Sequence, residues 1–129
     1  MLTSLAIKNF SLIEDLEVSF TSGLCILTGE TGSGKSILLE ALSLILGQRA
    51  DLSTIRKNAT KCVVEATFEI ANHNLSDLFK TSDLDEEPQT IIRRELSANG
   101  KSRAFVNDTP VTLDTLKTLG TALVDIHTQ

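Results

Sequence analysis

One stretch of eight residues constrains this chain more than any other. Gly29-Glu30-Thr31-Gly32-Ser33-Gly34-Lys35-Ser36 satisfies the phosphate-binding pattern G-x-x-x-x-G-K-[ST]. Gly29, Gly32 and Gly34 let consecutive backbone N–H groups close around an anion without interference from Cβ atoms. A helix opening near Lys35 aims its unpaired N–H groups and the positive end of its dipole at the same anion. Lys35 is expected to reach the β- and γ-phosphates, and the Ser36 hydroxyl to ligate Mg²⁺, which keeps most of its waters and takes few protein ligands. With glycine at about 7% of residues in ordinary proteins, a chance match in a chain of this size is on the order of one in a few hundred. Binding of a nucleoside triphosphate is the reading this loop supports, with Glu30, Thr31 and Ser33 lining it.

The surroundings fit that mechanism. Leu24-Cys25-Ile26-Leu27 is a continuous apolar run flanked by glycines, which suits a strand buried on both faces. After the loop, Ile37, Leu38, Ala41, Leu42, Ile45 and Leu46 recur at helical spacing, predicting a helix from Lys35 to Leu46 with Gly47 as its C-terminal cap. Ahead of the loop, two β segments are expected over Leu2–Phe10 and Leu12–Phe20. Beyond it, 47–60 reads as a surface connection, and Val64, Ala66, Phe68 and Ile70 alternate with polar residues as a half-buried strand. Residues 72–88 are polar and acidic, with a short helical possibility at 75–79. Thr90–Leu96 and Ser102–Val106 flank Asn99-Gly100, a hairpin signal, and Asn107-Asp108 marks another turn before Val111. Thr112 or Asp114 is placed to cap a short helix through Leu119, and Ala122–Ile126 reads as a final apolar strand. The fold class is α/β: a mixed sheet with an antiparallel β layer beside a partly parallel core and the phosphate-loop helix.

Composition closes off several alternatives. At 129 residues, with 41% hydrophobic and 22% charged, the chain has ordinary globular usage, enough for one domain. A net charge of -5 argues against a surface that coats nucleic acid throughout, although a local basic patch is compatible with it. The longest apolar stretch is too short to span a bilayer, and no secretory signal opens the chain, so no membrane partner is expected. Cys25 and Cys62 have no metal-ligand spacing and read as reduced, buried thiols of a cytosolic protein.

Hydrolysis needs more than a loop: a strand-terminal acid for the metal and a group that activates water. Asp125 is the one candidate for such an acid, and as a metal carboxylate it would make the chain a self-contained small NTPase or kinase. It is followed by Ile126 rather than glutamate, and no guanine-specifying N-K-x-D is present. Arg93, Arg94, Lys101 and Arg103 cluster on the predicted hairpin against Glu95. They form either a sequence-independent phosphate-holding surface for DNA or a solvated face. Arg49 and Arg56, following the phosphate-loop helix, are further candidate neighbours of nucleotide or DNA.

Leu5-Ala6-Ile7-Lys8-Asn9-Phe10, Phe20, Gly23 and the phosphate loop together resemble the N-terminal lobe of an SMC-type ABC ATPase head. More narrowly, residues 44–50 (LILGQRA), 99–107 (NGKSRAFVN), Pro110-Val111-Thr112 and Leu123–His127 resemble the RecN family of bacterial DNA repair ATPases. The resemblance implies that residues 1–129 are the N-terminal lobe of a split head, with antiparallel strands and hairpin at about 61–111. In the family a coiled coil and a C-terminal lobe follow, carrying the signature motif, the metal-binding Asp and the catalytic Glu. It implies ATP and Mg²⁺ as cofactors, the C-terminal lobe and a second head as partners, sequence-independent DNA contact and a cytoplasmic, nucleoid-associated location. It implies full-length ATPase activity in recombinational repair of double-strand breaks, with little turnover by this lobe alone. It also aligns Gln129 with the glutamine that senses Mg²⁺ and the attacking water, where Thr128 replaces the family's more usual glycine, and it leaves His127 a structural neighbour. It sets Lys8 and Asn9 where such heads place neighbours of the nucleotide base or ribose.

Overall fold

The structure is a computed structural model that describes residues 2–20, 32–70, 75–84 and 86–128, with side chains described for all of these except 32–36 and 124–128. The predicted strand Leu24–Leu27, Cys25, Gln129 and the phosphate-loop residues Gly29, Glu30 and Thr31 lie outside the described residues. The partly parallel core expected from the Leu24–Leu27 run therefore falls outside the described residues too.

Six strands form one sheet: β1 (Leu2–Phe10), β2 (Ile13–Ser19), β3 (Lys61–Glu69), β4 (Gln89–Ser97), β5 (Ser102–Val106) and β6 (Thr109–Val111). Their order is β2-β1-β3-β4-β5-β6, and every neighbouring pair is antiparallel. The alternation read from the sequence sets the faces. Cys62, Val64, Ala66 and Phe68 of β3 sit opposite Leu96, Arg94, Ile92 and Thr90 of β4, and all eight are buried. Leu5 and Ile7 extend that row across β1, and Ala104 and Val106 across β5. The other face carries Lys8, Glu17, Glu65, Arg93, Glu95 and Arg103 and is at least partly open to solvent.

Among the described residues three α-helices accompany the sheet: α1 (Gly32–Ile45), α2 (Ser76–Thr81) and α3 (Leu113–Thr128). Helix α1 starts three residues before the predicted Lys35, inside the glycine-rich motif. Its Ala41, Leu44 and Ile45 are buried against the sheet. At its C-terminus, Gly47 adopts φ +96°. The Gly47 N–H donates to the Leu44 carbonyl and the Gln48 N–H to the Ser43 carbonyl, both at 3.1 Å, which is a Schellman cap. The connection that follows contains a 3₁₀ turn, Leu52–Thr54, and is tied to the β1–β2 turn by Ser11 N–H to the Thr54 carbonyl (2.6 Å) and a bridge between Phe10 and Ile55. Helix α2 forms where the short helix is expected, anchored by buried Phe79 and followed by buried Leu84.

The hairpins form where expected. Between β4 and β5 the connection is residues 98–101, with Gly100 N–H donating to the Ser97 carbonyl and Gly100 at φ +94°, as in a type I turn closed by a bulge. Between β5 and β6 the turn is Asn107-Asp108, both at positive φ (49° and 68°), as a type I′ turn requires.

The final strand expected at Ala122–Ile126 does not form; α3 runs through it to Thr128. Leu116, Leu119 and Leu123 are all buried, at the i, i+3, i+7 spacing of one helical face. The apolar run at 122–124 is the continuation of that face, too short on its own to be told from a strand by periodicity. Of the two candidate caps, Thr112 acts: its Oγ1 accepts from the Thr115 N–H at 3.2 Å. Helix α3 docks on the end of α1 at Gly120, where a Cβ would stand 3.1 Å from the Leu46 Cα.

Two predictions follow from this packing. Gly47→Ala forces a side chain into a left-handed backbone and brings its Cβ to 2.5 Å from the Lys117 Cγ, so urea unfolding should show a loss of about 1–3 kcal/mol. Burial pushes the Cys62 thiol from 9.0 up to about 11. The native state therefore keeps a proton that the unfolded chain releases, and the stability this confers is complete below pH 9 and lost as pH rises to 11. Denaturation across that range should show a decline, at most about 1.4 kcal/mol per pH unit, that Cys62→Ala lacks.

Candidate functional site

The candidate site is built on the N-terminal end of α1. Gly32, Ser33, Gly34, Lys35 and Ser36 form its first turn, where the backbone N–H groups have no intrahelical partner. Glycine and serine at the first three positions keep bulk away from those amides. The donor set fits a magnesium-bound triphosphate: backbone amides and an ammonium group for the anion, and one hydroxyl, that of Ser36, for the cation. Among the described residues no group of three or more His, Cys, Asp or Glu is placed to hold a metal ion.

Asp125 loses the position that made it a candidate metal carboxylate. It lies within α3 rather than at the end of a strand, so the geometry that places an acid beside a phosphate loop is not the one found here. His127 is in the same helix.

The basic hairpin is divided by the pleat of the sheet. Arg94 points into the core and is 1% exposed. One Nη donates to the Leu44 carbonyl (2.8 Å) and the Gln48 carbonyl (2.9 Å), and the other to Ser102 Oγ (2.9 Å). A DNA contact by Arg94 is therefore withdrawn: its charge caps the C-terminal end of α1, where cations are favoured by the helix dipole. Burial pulls the guanidinium below its ordinary pKa, through desolvation of the charged form. The sequence signal that would have exposed this role is parity. Arg94 alternates in step with Ile92 and Leu96, the inward positions of β4.

Arg93 lies on the open face and is already engaged. Its Nε pairs with Glu95 at 3.0 Å, and its Nη1 with Asp108 at 3.1 Å and Glu65 at 3.9 Å. Its Cζ stands 4.4 Å from the centre of the Phe105 ring. Glu95 also pairs with Lys61 at 3.2 Å. Three carboxylates around Arg93, two of them absent from the local sequence, leave it little charge to offer an anion. Lys101 and Arg103 are exposed and form no ion pair among the described residues.

The other basic candidates are dispersed. Arg56 donates from Nη1 to the Leu12 carbonyl (3.0 Å) and so ties its loop to the β1–β2 turn, and Asn9 donates from Nδ2 to the Lys61 carbonyl (3.2 Å), joining the end of β1 to the start of β3. Lys8 and Arg49 are exposed. The open sheet face also carries a shallow groove of about 330 Å³ lined by Lys8, Asp15, Glu17 and Glu65 among others.

The model of the AAA domain family matches residues 4–126. DNA repair protein RecN of Vibrio cholerae is 41% identical over 130 residues, covering 100% of this chain and 24% of that protein. RecN of Bacillus subtilis is 41% identical over 131 residues, covering 100% and 23%. The chain thus spans about a quarter of the length of the curated relatives it matches. Among solved structures, the Smc head domain of Pyrococcus furiosus, with an extended coiled coil and bound to the C-terminal domain of ScpA, superposes with a TM-score of 0.74 at 22% identity, covering 95% of this chain and 33% of that one. The recombination mediator protein RecF bound to ATP superposes at 0.62 with 19% identity, covering 86% and 27%. The described fold is that of part of an SMC head.

The engagement of Arg93 is measurable. Arg93→Met should lower the urea stability by about 0.5–1.5 kcal/mol, the partly exposed pairs being discounted for solvent. The loss should shrink in 1 M salt as the ionic part is screened.

Proposed function

The chain belongs to the AAA domain family, and from that premise we propose that it is the ATP-binding N-terminal lobe of a RecN-type, SMC-like ATPase. The observation that carries this reading is α1: a glycine-rich G-x-x-x-x-G-K-S motif whose second half is the first turn of a helix packed on the sheet. Gly29, Glu30, Thr31, Gly32, Ser33 and Gly34 form the cradle, Lys35 neutralises the terminal phosphates, and Ser36 is the metal ligand of the loop. Magnesium, when bound, supplies charge neutralisation between the terminal phosphates. Gln129 takes the place of the water-sensing glutamine.

On this reading residues 1–129 are a lobe of a larger head, completed by a coiled coil and a C-terminal lobe, and hydrolysis needs those parts and a second head. ATP then acts as a clasp between two heads, and its hydrolysis releases them. The cellular task is recombinational repair of double-strand breaks in the bacterial cytoplasm at the nucleoid. Support comes from the 41% identity to RecN proteins across the whole of this chain. Sequence-independent DNA contact falls to Lys101 and Arg103, the exposed cations of the hairpin.

Titration calorimetry with MgATP tests the proposal. The chain should bind, Lys35→Ala should weaken binding by about 100-fold or more, and turnover by the chain at low protein concentration should be close to background. Unchanged affinity in Lys35→Ala, or robust turnover by this chain alone, would overturn it. The second outcome would restore a self-contained NTPase.

A further inference from the structure

Arg94 is the one charged side chain buried in the core among the described residues. No carboxylate pairs with it there, and its Nε has no hydrogen-bond partner. Burying an ion without a counter-ion is costly, and an apolar side chain of similar size often serves stability equally well. Capping alone does not account for it either. The Schellman bonds of Gly47 and Gln48 already satisfy the Leu44 and Ser43 carbonyls, so the Leu44 carbonyl accepts twice. What the guanidinium adds is a fixed relation between three elements: the end of α1 through Leu44, the residue after its cap through Gln48, and β5 through Ser102, all from a side chain rooted in β4.

Helix α1 is a rod of 14 residues, about 21 Å long. Its far end is the first turn, Gly32 to Ser36. A tilt of about 3° about the pinned end moves that turn by about 1 Å, the scale on which oriented contacts fail. We infer that Arg94 is a positioning residue for triphosphate binding: by pinning α1 to β4 and β5 it sets the height and tilt at which the helix presents its N-terminal amides to the phosphates. This rests on the reading of α1 as the phosphate-binding helix and names the residue that holds it in place. Ser102 shares the role by orienting the guanidinium.

The test is MgATP calorimetry on wild type, Arg94→Lys, Arg94→Met and Ser102→Ala. Each is measured well below its thermal midpoint, and the affinity is expressed per folded molecule from circular dichroism. Arg94→Met should bind about tenfold more weakly and Ser102→Ala about threefold more weakly, as expected for loss of charge-assisted hydrogen bonds. Arg94→Lys should recover most of the loss, because an ammonium group still reaches the helix carbonyls. A side chain that serves stability alone would lower the midpoint and leave affinity per folded molecule unchanged; that result in Arg94→Met and Ser102→Ala overturns the inference. If Arg94→Met does not fold, unchanged affinity per folded molecule in Ser102→Ala overturns it equally. Wild type that fails to bind MgATP fails the phosphate-loop reading itself, and this inference with it. Wild type that binds beside insensitive variants fails the inference alone.

Discussion

A guanidinium group in the middle of the core joins the sheet to the helix on which the candidate site is built. Arg94 leaves the inward face of β4 and meets the end of α1, while Ser102 on the adjacent strand holds its other nitrogen. Around it, Val64, Ala104 and Leu44 complete an otherwise apolar layer. The six-stranded sheet buries one face only, so α1 has a single surface on which to dock, and the opposite, charged face stays at least partly open.

The two arginines at 93 and 94 show how a one-residue step decides chemistry in a strand. Side chains alternate across the sheet, so adjacent identical residues meet opposite environments. Arg94 is desolvated among carbonyl dipoles, whereas Arg93 lies over Phe105 among Glu65, Glu95 and Asp108. Neither offers a free positive charge. The exposed cations of the hairpin are Lys101 and Arg103, a smaller basic surface than the sequence cluster implies.

Much of the fold is legible from local pattern. The alternation in β3 and the turn signals at Asn99-Gly100 and Asn107-Asp108 report interactions among near neighbours, and each forms as expected. The cap at Gly47 is equally local. Where local pattern is ambiguous it misleads: Ala122-Leu123-Val124 suits a strand or a helix face, and the docking of Leu116, Leu119 and Leu123 into the core selects the helix. That selection also removes Asp125 from the strand end at which it would have served a metal.

The sequence by itself determined the motif from which phosphate binding is proposed, because glycine, lysine and serine at that spacing would act through their own backbone and side-chain atoms. It likewise determined which face of each strand is apolar. Only the tertiary structure decided which charges are spent inside the protein: Arg94 on α1, Arg93 on three carboxylates, Arg56 on the β1–β2 turn. The partners in those contacts lie up to 50 residues apart in the chain. Strand parity records which face of the sheet a cation lies on, but whether it meets water, a carbonyl or a carboxylate depends on what folding brings beside it.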